Sequence, residues 1–334
     1  MTLIVTRTSS RYALMVTDRK VTWNGAEPDS DANKNVLFGD RNGVVAIGYT
    51  GMAYIGTIPT DQWIAQTLTG LTFPEGRRGK GSVPFLMTTS YEVQYLGRRV
   101  RDLRDRLNEA RPLILEKYRH EWSARSFDLV ITGFEWNRGE VRPMLTALSK
   151  PPNSDKFELR DSDRHWYLPQ RGRFPVRMCA APAQNLTIEE LRSIEARLHS
   201  VWGDGHGAAD EVANHAEALL AETIQDVSVR LRVVGPDTMS ILIPPPAGPD
   251  PTIRVRYIPA GRDQGVLRAG GKQTPVPVAF SPWVVSPGCV RSPSVFTNLR
   301  VESACGPYRV VMEAPHVDGT PGGMSSQERR SIKG

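Results

Sequence analysis

At 334 residues, with 40% hydrophobic and 23% charged residues, the chain has the composition of a globular protein with a sizeable core. No run approaches 18 consecutive apolar residues, which excludes a membrane-spanning helix, and the start MTLIVTRTSSRYALM lacks the basic-then-apolar pattern of a secretory signal. The net charge of +6 is modest, and the arginines between 70 and 125 alternate with Asp102, Asp105, Glu109, Glu116 and Glu121, a solvated face and not a nucleic-acid surface.

Taken in chain order, Thr2–Thr6 and Tyr12–Thr17 are β-branched, apolar runs around Thr8-Ser9-Ser10-Arg11, which predicts a hairpin. Antiparallel pairing brings Asp18, at the end of the second strand, close to Thr2. Val36-Leu37-Phe38 and Val44–Ile47 flank Asp40-Arg41-Asn42-Gly43, a strong turn signal, and predict a second hairpin. Lys34 sits at its mouth and Gly48 at its far end, so the two are neighbours across the ladder. A short helix is expected over Thr60–Leu68, with Trp63, Ile64 and Leu68 inward. Leu96, Val100, Leu103, Leu107 and Ile114 predict an amphipathic helix within Leu86–Tyr118, kinked or broken at Pro112. The intervening Glu75–Gly81 loop is basic and glycine-rich but lacks the spacing of a phosphate cradle.

Phe127–Phe134 and Val141–Leu148 are expected as paired strands. Thr187 with Glu190 marks a helix start, Ala208–Ile224 a second helix, and Val227–Val234 and Thr238–Ile243 two more strands. This order suits an α+β fold, a four-layer αββα sandwich of two antiparallel sheets flanked by helices. Residues 1–243 would form this domain, with a helical insertion at about 70–125. Fourteen of the 26 prolines follow Ile243, so 244–334 reads as a Pro-rich extension. Within it Ile253–Ile258 and Val276–Val285 are candidate strands, and Asp318–Gly334 is expected to be disordered. Three scattered cysteines, Cys179, Cys289 and Cys305, fit a reduced, cytoplasmic setting.

The chemistry gathers at Thr2, Asp18 and Lys34. Removal of Met1 would leave Thr2 at the amino terminus, where its free α-amino group, with an ordinary pKa of about 7.7–8.0, can take the hydroxyl proton. A lysine held by a carboxylate favours the ionised nucleophile and steadies developing negative charge. The chain has eight lysines against 34 arginines, so a lysine at a required position is uncommon, and an arginine could not share a proton there. The plainer alternative is a surface salt bridge between Asp18 and Lys34, with Gly48 a turn residue. His206 and His215 lack the spacing of paired metal ligands, and Cys179 reads as core.

Thr17-Asp18-Arg19-Lys20-Val21-Thr22, Lys34 at the head of the next strand, and Ala46-Ile47-Gly48-Tyr49-Thr50-Gly51 together resemble the proteasome β-subunit family. These are N-terminal-nucleophile hydrolases, and the closest style is that of the bacterial proteasome-like threonine peptidases. The resemblance covers about residues 2–243, most strongly to Gly51. It implies Thr2 as nucleophile and, through its amine, as base; Asp18 and Lys34 as the supporting ion pair; and the Gly48 N–H as oxyanion donor. It further implies a peptide or small-amide substrate, no cofactor or metal, a homo-oligomer, and an AAA+ unfoldase partner. The chain departs from the family pattern twice. Cys179-Ala180-Ala181-Pro182 stands where a Gly-Ser-Gly run is usual, and Asp226-Val227-Ser228 only partly matches a D-x-x-S-G segment. Three functions stay open: threonine peptidase, small-molecule amidase, and catalytically idle scaffold or adaptor.

Overall fold

The computed structural model describes residues 3–19, 21–23, 26–29, 33–73, 86–87, 91–124, 126–160, 177–181, 186–202, 209–231, 234–246, 251–258, 265–269, 272–276, 279–293, 295–296, 301–305 and 307–313. Strands β1 (Ile4–Thr8) and β2 (Ala13–Asp18) form the first hairpin, β3 (Asn35–Asp40) and β4 (Gly43–Thr50) the second. Helix α1 (Thr60–Thr69), the short β5 (Leu86–Met87), α2 (Leu96–Glu109) and α3 (Arg111–Trp122) follow. The long hairpin β6 (Phe127–Asn137) and β7 (Glu140–Lys150) leads to β8 (Glu158–Arg160) and β9 (Arg177–Ala181). Next come α4 (Ile188–Trp202), α5 (Ala209–Arg230) and β10 (Thr238–Ile243). Strands β11 (Thr252–Ile258), β12 (Trp283–Ser286), β13 (Cys289–Arg291), β14 (Val301–Cys305) and β15 (Tyr308–Glu313) complete two large sheets.

The fold is mixed α+β, with five helices and several sheets among the described residues. A seven-stranded sheet runs β9-β1-β2-β10-β11-β15-β14 and an eight-stranded sheet β8-β7-β6-β4-β3-β12-β13-β5. Three apolar clusters account for their burial. Ile4, Met15, Ile241 and Val255 of the first sheet meet Leu37, Val44, Ala46 and Val130 of the second. Val36, Phe38, Ile47 and Leu129, on alternate positions of the same strands, pack with Ile64, Leu103 and Ile114 of α1–α3. Leu3, Val5, Leu14 and Val16 pack with Leu191, Ile194, Leu220 and Ile224 of α4 and α5. The central strands are therefore covered on both faces, which is why they read as continuous apolar runs.

Local chemistry explains most element ends. The Thr187 N–H donates to Glu190 Oε2 at 2.6 Å and the Glu190 N–H to Thr187 Oγ1 at 3.1 Å, a reciprocal cap at the start of α4. Pro112 falls in the first turn of α3, where a missing N–H costs nothing, so the helical block splits into α2 and α3. Helix α2 begins at Leu96 and not near Leu86, because Asn42 Oδ1 accepts the Leu96 N–H at 2.8 Å and fixes its first turn.

Two further expectations are corrected. Val227–Arg230 is helical, not strand: Leu220, Ile224 and Val227 continue one buried helical stripe, and packing overrides the β-branched run. The sheets are also not wholly antiparallel, since β11 pairs with β15 and β3 with β12 in parallel. These strands return from crossovers beyond Ile243, and parallel pairing is what a crossover permits. The chain after Ile243 therefore extends both sheets. The expected disorder of Asp318–Gly334 lies outside the described residues.

Candidate active site

The register of the first hairpin pairs Ile4 with Thr17, which sets Leu3 against Asp18. The Asp18 N–H donates to the Leu3 carbonyl at 3.0 Å, and the Leu3 N–H donates back to Asp18 Oδ1 at 2.7 Å. Lys34 reaches the same carboxylate, its Nζ 3.2 Å from Oδ1 and 3.3 Å from Oδ2. The Gly235 N–H, from the loop after α5, closes on Oδ2 at 2.8 Å. The two side chains are 0% and 1% exposed, so the pair is not a surface salt bridge. Burying two charges is costly unless extra hydrogen bonds compensate, and here two backbone amides do so.

The backbone on either side is fixed as firmly. The Arg19 N–H donates to the Asp237 carbonyl at 3.1 Å, and the Arg19 guanidinium lies 4.8 Å from the centroid of the Tyr257 ring. The Lys34 carbonyl accepts the Tyr49 N–H at 3.3 Å. Thr17 and Asn35, the residues next to Asp18 and Lys34, join the two sheets directly through Asn35 Nδ2 to Thr17 Oγ1 at 2.7 Å. The hairpins thus meet where the sequence places them, with Asp18 and Lys34 in contact.

Gly48 lies within β4, opposite Asn35 on one side and Val130 on the other. Because the Tyr49 N–H points to β3, alternation along the strand turns the Gly48 N–H toward β6. A Cβ at Gly48 would stand 2.9 Å from Met15 Sδ, 3.2 Å from Ile4 Cδ1 and 3.3 Å from Asn35 Oδ1, so the sheets pack closely over the glycine. Thr2 itself lies outside the described residues.

The two departures from the family pattern fall differently. Ala181 pairs with Ile4 and Cys179 with Thr6, so that segment runs beside the first strand. Asp226 and Ser228 are in α5, where the Ser228 hydroxyl donates to the Gln225 carbonyl at 2.6 Å within its own helix. Support from this part of the chain reaches Asp18 through Gly235 instead. Gly235-Pro236-Asp237 is a legible turn signal, yet nothing local ties it to a residue 217 positions earlier. Asn33, Asn35 and Asp61 also belong to this network, and of their signals only Asn-Lys-Asn around Lys34 is local in the sequence.

His215 lies on α5 and His206 is outside the described residues; among the described residues no group of three His, Cys, Asp or Glu is arranged to hold a metal. No described helix is long and apolar enough to cross a membrane.

No family model matches the chain, and no curated protein does. Among solved structures, a Gly-1 mutant of Anbu from Hyphomicrobium sp. strain MC1 is 16% identical over 73% of this chain and 83% of its own, with a TM-score of 0.43. Anbu from Yersinia bercovieri, described as an ancestral beta-subunit, is 13% identical over 73% of this chain and 82% of its own, at 0.40. A helical assembly of the Anbu complex from Pseudomonas aeruginosa is 10% identical over 73% and 81%, at 0.37. These findings correct the expected kinship with the bacterial proteasome-like threonine peptidases: the similar structures are Anbu proteins, a distinct group. At such identities and TM-scores they carry no argument about residues or activity, which must rest on the site.

Proposed function

We propose that the chain is an N-terminal-threonine amidohydrolase acting on a peptide or a small amide once Met1 has been removed. One observation carries the reading: the buried Asp18 carboxylate joins the Leu3 N–H, whose nitrogen is bonded to the Thr2 carbonyl carbon, to the Lys34 ammonium. In the proposed reaction Thr2 Oγ bonds to the amide carbonyl carbon while its proton passes to the Thr2 α-amine. The carbon–nitrogen bond breaks, the leaving amine takes that proton, and an ester on Thr2 remains. Water then hydrolyses the ester, giving its hydrogen back to Oγ. Lys34, held by Asp18, supplies fixed positive charge beside the nucleophile throughout. The part assigned to Gly48 is steric.

The three apolar clusters support a helix–sheet–sheet–helix stack, and the strands after Ile243 support one folding unit that includes them. A scaffold without catalysis is favoured by a different observation, the use of Ser228 within its own helix. Intact mass and turnover of a fluorogenic tripeptide decide between the readings. The amidohydrolase predicts loss of Met1 and turnover at least about 10³-fold lower in Thr2→Ala. Retained Met1 with no turnover sinks it and leaves the scaffold.

A further inference from the structure

Lys34 stands between two buried asparagines, and the first is wired to a helix that the proposed chemistry does not use. Asn33 grips Asn35 across the lysine: its Oδ1 accepts the Asn35 N–H at 3.2 Å, and its Nδ2 donates to the Asn35 carbonyl at 3.0 Å. A bond from an asparagine side chain to the amide two residues on is an Asx turn, which fixes the backbone of the residue between. Here that residue is Lys34. Asn33 Nδ2 also donates to Asp61 Oδ2 at 2.7 Å, and Asp61 is fully buried in the first turn of α1. The Asn33 carbonyl accepts the Tyr49 hydroxyl at 2.9 Å. One side chain and its carbonyl therefore tie α1, β3 and β4 together at the residue before the lysine.

We propose that Asn33, held by the Asp61 carboxylate of α1, is a positioning residue that sets the Lys34 ammonium against Asp18. Lysine has a flexible four-carbon stem, so where its ammonium rests depends on how its Cα is held. The bracket fixes that Cα from both sides. Only the catalytic consequence rests on the amidohydrolase reading, where a displacement of about 1 Å is enough to cost about 10²-fold.

The test is carbon-13 NMR of the full chain with its eight lysines labelled at Cε, the Lys34 resonance being assigned by its loss in Lys34→Met. In Asn33→Ala the Lys34 titration midpoint is expected to move by about half a pH unit or more, and in the isosteric Asp61→Asn to move in the same direction. In the active enzyme both variants should lower kcat, Asn33→Ala by about 10- to 100-fold, while KM stays within about threefold. A Lys34 midpoint unmoved in both variants overturns the proposal. Should Asn33→Ala not fold, an unmoved midpoint in folded Asp61→Asn overturns it alone. Absence of turnover in the parent chain would count against the amidohydrolase reading, and the NMR shift would still decide the positioning role.

Discussion

The second hairpin carries a buried ion pair at each end, and the two use the same hydrogen-bond scheme with different cations. At the mouth, Asp18 takes the Leu3 and Gly235 amides and Lys34. At the tip, Asp40 takes the Arg41 amide at 2.8 Å, the Gln94 amide at 2.9 Å and Arg99 Nε at 2.9 Å. Both carboxylates are fully buried. The tip pair docks α2 on the hairpin: Arg99 also donates to the Glu92 carbonyl and faces the Tyr91 ring, and Asn42 caps the helix. The mouth pair draws in segments from Leu3 to Gly235. An arginine holds its charge at any working pH, whereas a lysine can change its own. Burial and hydrogen-bond count are alike at the two ends, so what sets apart the pair to which chemistry is proposed is the identity of its cation.

Removing each cation should break that comparison most visibly. Lys34→Met and Arg99→Met each strand a buried carboxylate, so both should lose about 3–5 kcal/mol in urea unfolding. Turnover per folded molecule should separate them: about 10²–10⁴-fold lower in Lys34→Met, within about twofold in Arg99→Met. Exchanging the cations sharpens the point. Lys34→Arg keeps the pair and loses turnover, while Arg99→Lys keeps turnover and gives up about 1 kcal/mol of hydrogen bonding. Equal loss of turnover at both ends would void the distinction.

The mouth of this hairpin was legible in the sequence because its cues are local. Apolar runs bounded by short turns set the register of both hairpins, and register alone carries Asp18 to Leu3 and Lys34 to Tyr49, next to Gly48. The reciprocal Thr187–Glu190 cap was legible for the same reason. What stayed hidden depends on distant packing. Val227 has strand propensity but continues the buried stripe of α5, and β12 finds its place beside β3 only through a crossover. Gly235 and Asp61 reach the site across 217 and 28 residues, distances at which composition and periodicity say nothing.

Glycines near the two ends offer a smaller test. A Cβ at Gly43 would lie 2.5 Å from Leu96 Cδ2 and 2.9 Å from the Phe134 carbonyl, a backbone atom that cannot swing aside. At Gly48 the nearest atoms are the ends of Met15 and Ile4, which can yield. Gly43→Ala is therefore expected to cost about 1–3 kcal/mol and Gly48→Ala less, both read by urea unfolding. The reverse order would mean that the mouth is packed more rigidly than the tip.

A third buried cation sets the smallest effect and the clearest sign. Lys150, at the end of β7, is fully buried; its ammonium donates to the Trp122 carbonyl and lies 4.7 and 5.2 Å from the Trp122 and Phe127 ring centroids. Desolvation lowers its pKa below the usual lysine value, against the raising influence of Asp155 and Asp128. Between the folded value and the unfolded value of about 10.4, the unfolded chain binds more protons, so stability contributed at this site rises with pH. Below the folded value the penalty is constant. Lys150→Met removes the titrating group, so the stability gained between pH 7 and pH 10 should be smaller in the variant than in the parent when both are unfolded in urea.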